Sequence, residues 1–90
     1  MVDGIDIAIS SLRDELNSLK QRISQCRRKG LDTKIAELML MSVPAKIIMI
    51  GTTRDIKDVQ KLTGILAKAK SEVEELEGQI QNGGGQKESL

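Results

Sequence analysis

Chemistry in this chain would have to come from one thiol, Cys26, and from 13 acidic and 14 basic side chains, because histidine is absent. Without imidazole the chain lacks the group that most often serves as general base or metal ligand near neutral pH. Cys26 has no histidine to take its proton, and it falls in register with leucines and isoleucines. It therefore reads as a small apolar packing residue rather than a nucleophile. The carboxylates occur in runs, such as Glu72, Glu74, Glu75 and Glu77, without the opposing ligands that would close a metal site. Residues 83–87 share glycines with phosphate-binding loops, yet they lack the GK[ST] ending, follow no strand and open no helix. The expectation is no catalytic residue, no cofactor and no metal.

Two groups of residues could bind rather than react. Lys20, Arg22, Arg27, Arg28, Lys29 and Lys34 form a basic cluster able to contact nucleic-acid phosphates. Against that reading, cations belong naturally at a helix C-terminus, and glutamates further along could neutralise them. The net charge is only +1, and no Phe, Trp or Tyr is present to stack on a base. Nucleic-acid association is thus the alternative function. The second group lies in the densest apolar stretch, residues 38–50, whose apolar side chains point in all directions, so one helix face cannot bury them all. From it, Met39, Met41, Ile48 and Ile50 are the candidates for contact with a second copy or another protein.

The elements that must position these groups are helical. Ile5, Ile9, Leu12, Leu16, Leu19, Ile23 and Cys26 alternate in spacing between four and three residues, as do Val59, Leu62, Leu66, Ala69, Val73, Leu76 and Ile80. A mean repeat of 3.5 is the mark of helices that pack along other helices. The first helix is expected over residues 3–29, capped by Asp3 and ended by Gly30 after a basic last turn. A broken helix is expected over 32–50, with Ile35, Leu38, Met39 and Met41 facing inward in its first half. Pro44 fits the first turn of its second half, capped by Ser42, and Gly51 ends it. Residues 45–50 would suit a buried strand equally well by periodicity, but no partner strand exists elsewhere, which favours helix. A last helix follows over 53–81, capped by a threonine hydroxyl, with Ile56 and Ile65 widening its apolar face. Residues 82–90, rich in glycine, are expected to form a disordered tail.

Charge favours one orientation within the chain, while a dimer that sets the last helix of one subunit antiparallel to the first helix of the other is the competing arrangement. The first helix begins acidic and ends basic, while the last begins with Arg54, Lys57 and Lys61 and ends in glutamates. Lying parallel, they would set Arg22, Arg27 and Lys29 beside Glu72 and Glu77; lying antiparallel, like would face like. Parallel packing requires the middle segment to carry the chain back. The fold expected is an all-α small helical bundle, residues 1–81, of two long heptad helices joined by a Pro-broken apolar helical segment, and oligomeric. No stretch is expected to span a membrane, and a lone cysteine suits a reducing cytoplasm. The function expected is a non-enzymatic scaffold, adaptor or regulatory subunit, a homo-oligomer (a dimer) that also holds another protein.

Overall fold

The computed structural model describes the backbone of residues 4–89 and the side chains of residues 4–80. Four helical segments follow one another: α1 (Gly4–Arg28), α2 (Lys34–Met41), α3 (Val43–Thr53) and α4 (Ile56–Ser89). No strand occurs among the described residues, so residues 45–50 are helical. The Asp3 cap and the tail expected from Asn82 onward lie outside the residues described in side-chain detail.

The end of α1 follows from Gly30. Its φ of 87° is left-handed, a region that costs an L side chain about 1 kcal/mol or more. That turn lets the Leu31 amide donate to the Cys26 carbonyl at 3.1 Å and the Gly30 amide donate to the Arg27 carbonyl at 2.9 Å. Two carbonyls that the helix would leave unpaired are satisfied, and Leu31 folds back against the core.

The chain then returns as one rod with a single fault. Ser42 separates α2 from α3 yet stays in the right-handed region (φ −89°, ψ −6°), and the Lys46 amide reaches the Ser42 carbonyl at 3.1 Å. Pro44 sits in the first turn of α3, where its missing amide costs nothing further. Gly51 does not end this rod. The helix runs on to Thr53 and stops at Arg54, which takes the left-handed conformation with φ 54°. Asp55 then starts α4: its carbonyl receives the Asp58 amide at 3.1 Å, and its Oδ1 receives the Lys57 amide at 2.9 Å. A carboxylate, not a threonine hydroxyl, is the cap at this end.

Packing is organised by three seams. Leu12, Leu16, Leu19, Ile23 and Cys26 are buried from α1, and Val59, Leu62, Leu66, Ala69, Val73 and Leu76 from α4. The third seam belongs to the middle rod: Thr33, Ala36, Leu40, Val43, Ile47 and Ile50 are buried at alternating spacings of three and four. It passes through the break at Ser42 without losing phase. The expected inner set of Ile35, Leu38, Met39 and Met41 is therefore overturned except for Met39, which packs against the core. Ile35, Leu38 and Met41 are exposed, and Met39 is half-buried. Ile65 packs on the core as expected, whereas Ile56 is exposed.

α1 and α4 lie parallel, as the charge gradients favour. Near their C-terminal ends Arg22 clasps Glu77 in two hydrogen bonds, Nε to Oε2 at 2.9 Å and Nη2 to Oε1 at 2.6 Å. At the other end, Arg54 reaches Asp6 at 3.1 Å. Arg27 does not join Glu77; it pairs with Glu37 on α2.

Candidate interaction surface

Several of the side chains that could do chemistry are engaged within the bundle. Cys26 is buried in the α1 seam, and desolvation pushes its thiol pKa up, so the thiolate is scarce at neutral pH. Glu77 is held below the usual carboxylate range, first by the hydrogen bond from Arg22 and then by its charge. Thr33, the one buried polar side chain among the described residues, donates from Oγ1 to Glu37 Oε1 at 2.6 Å. Glu37 in turn accepts from Arg27. Among the described residues no three acidic or cysteine side chains gather as a metal-binding group.

The basic cluster is divided by the fold. Lys20 and Arg27 line a groove of about 330 Å³ between α1 and the middle rod, together with Glu37, Met41 and Pro44. Arg22 lies on the other side of α1, clamped to Glu77. Arg28 and Lys29 are exposed at the end of α1, and Lys34 is exposed at the start of α2. These six side chains do not make one face.

The apolar candidates behave differently from one another. Met41 and Ile48 are exposed, Met39 is half-buried, and Ile50 is only 1% exposed. Ile50 thus belongs to the inner seam and is removed from the surface set. Three residues that the sequence reading missed join Met41 and Ile48 outside: Ile35, Leu38 and Met49. Across these five, exposure runs from 56% at Met49 to 71% at Met41. Free in water, so many large apolar side chains on one rod form an unusually apolar surface.

Their arrangement is regular. Ile35, Leu38, Ser42, Ala45, Met49 and Thr52 are all exposed and are spaced 3, 4, 3, 4 and 3 residues apart. This is a second heptad stripe on the back of the rod, facing away from the core. Met41 and Ile48 flank it on the α1 side, where both line grooves against α1. Lys46 and Met49 border a groove on the α4 side, with Lys61 and Ile65 across it. The stripe was detectable in the sequence as a second phase of the same repeat.

No known protein family, curated protein or solved structure matches this chain. Its function must be read from this surface alone.

One further property follows from the two-faced rod. With apolar residues inside and out, Lys34–Thr53 has a mean hydropathy of 1.6 and the length to cross a membrane. This is a match of length and composition only, which the core helix of a soluble protein also meets. Only 28% of its most apolar window is buried, less than a fully enclosed core helix would show.

Proposed function

We propose that this chain is a non-enzymatic helical interaction module, a scaffold, adaptor or regulatory subunit, that associates with protein through the outer face of α2 and α3. The observation supporting the reading is that five large apolar side chains stand open on a rod whose opposite face already completes the core. Covering apolar surface releases about 25 cal/mol per Å², so a helical partner laid along this face gains in proportion to what it covers. Part of the basic cluster is engaged within the bundle, in the Arg22–Glu77 and Arg27–Glu37 pairs.

The test compares the wild-type chain with Leu38→Glu. Association is followed by size exclusion with light scattering, detected by refractive index because the chain has no aromatic residue. A cross-linked capture from cell extract covers heterotypic partners. Association lost in Leu38→Glu, with helical circular dichroism unchanged, supports the reading. A wild-type chain that stays monomeric and captures nothing rejects it.

A further inference from the structure

The outer stripe carries more than exposure, because its residues pair off about a centre, with two small ones in the middle and Leu38 and Met49 next to them on either side. Reading outward from the midpoint between Val43 and Pro44, the stripe places Ser42 and Ala45 first, then Leu38 and Met49, then Ile35 and Thr52. We propose that the occupant of this face is a second copy of the chain, antiparallel, with the two-fold axis crossing the rods at that midpoint. The inference rests on the reading above and names its partner.

Antiparallel pairing about this point builds six layers. Two small central layers, Ser42 on the partner's Ala45 and the reverse, let the rods approach closely. Leu38 meets the partner's Met49 on either side of them, and Ile35 meets the partner's Thr52 at the ends. Leu38 and Met49 thus lie large against large on both sides of a tight centre, the complementarity that heptad packing needs. The stripe covers 17 residue steps, or about 26 Å of helix. A contact one helix wide and this long lies at the small end of specific interfaces, so association is expected in the micromolar range.

The flanks favour antiparallel over parallel pairing. Met41 and Ile48 both lie on the α1 side of the rod, and Lys46 lies on the α4 side. A two-fold axis perpendicular to the rods keeps the two α1 sides together, so Met41 packs beside the partner's Ile48, twice. A parallel pair instead brings the α1 side of one rod to the α4 side of the other, and sets Ile48 beside the partner's Lys46. Helix dipoles also oppose each other favourably in the antiparallel pair and reinforce unfavourably in the parallel one.

Disulfide trapping tests this directly. Cys26 is buried and leaves the background quiet. Leu38→Cys chains mixed with Met49→Cys chains are oxidised at high micromolar concentration and separated on a non-reducing gel. The expected result is an efficient mixed dimer, with little self-linking of Leu38→Cys. In the antiparallel pair the two copies of position 38 are 11 residue steps apart, about 16 Å along the rods, beyond the reach of about 7 Å between α-carbons that a disulfide allows. Leu38→Cys that links mainly to itself overturns the antiparallel pairing. A wild-type monomer that binds only a different protein, or only vesicles containing anionic lipid, overturns the second copy as occupant. Only the vesicle result, or no binding at all, also rejects the protein-interaction reading.

Discussion

The two faces of the middle rod are made of nearly the same residues and have opposite fates. Inward lie Ala36, Leu40, Val43, Ile47 and Ile50; outward lie Ile35, Leu38, Met41, Ile48 and Met49. Hydropathy does not separate them. What does is phase: the inner set lines up with the seams of α1 and α4, and those helices leave no space for the other set. An apolar segment therefore reports that a rod has two uses, while its neighbours decide which face serves the fold.

The sharpest way to break this comparison is to place the same charge on each face. Ile50→Asp puts a carboxylate into the buried seam, a cost of several kcal/mol that a 90-residue bundle is not expected to survive. Ile48→Asp puts the charge in water, so helical dichroism and the melting transition should persist in dilute solution, while association weakens. Two variants that unfold alike would show that both faces are core.

Truncation gives the graded version. Leu40→Ala removes a buried side chain and should lower stability by about 2–4 kcal/mol. Leu38→Ala, two positions away and exposed, should change it by less than about 0.5 kcal/mol when the chain is dilute. Denaturant titration of both at low concentration measures the gap directly. A comparable loss for Leu38→Ala would mean that the outer face is covered in the folded monomer.

These contrasts also explain what the sequence could convey. The α1 and α4 seams were legible because polar residues separate their apolar stripes, leaving one choice of phase. The parallel arrangement was favoured by charge, since within one chain Arg22 lies beside Glu77 in that orientation. Inside the middle rod, polar residues that might mark a boundary are too few, and Thr33 and Ala36 hide the true seam behind a hydroxyl and a methyl. Leu38 and Met41 drew the inward assignment because they are larger. Gly51 was read as a terminator on residue type alone, although the left-handed turn fell three residues later, on Arg54.

Acid should separate the bundle from the outer face. The hydrogen bond and charge of Arg22 hold Glu77 below its ordinary pKa, so the pair's contribution is fully present above the unfolded carboxylate value of about 4.3. It fades as pH falls from there through the lower folded value. A half-exposed bidentate pair is worth at most about 1 kcal/mol, so the effect is modest. Thermal melts from neutral pH down to about pH 3 should show a steeper loss in the wild type than in Glu77→Gln. The six residues of the outer stripe carry no charge, so Glu77→Gln should leave association unchanged while the bundle stays folded. Identical acid profiles for wild type and Glu77→Gln would remove the pair from the account.

The smallest expected effect tests where the rod ends, and hence whether Ile50 sits on a complete helical turn. Gly51 lies inside α3 without a positive φ, and a β-carbon added there would meet only Ile9 Cδ1, at 4.0 Å, an ordinary contact. In that setting alanine loses less conformational entropy on folding than glycine. Gly51→Ala should therefore stabilise the chain by about 0.5–1 kcal/mol, raising the melting temperature by a few degrees. Gly30→Ala is the control of opposite sign. There is space for its methyl, but a φ of 87° imposes left-handed strain, so it should destabilise by about 1 kcal/mol. If Gly51→Ala instead lowered stability as Gly30→Ala does, the rod would end at Gly51. Ile47 and Ile50 would then lose the continuous helix that holds them in phase with Val43, and the distinction between inner and outer faces would fail in its second half.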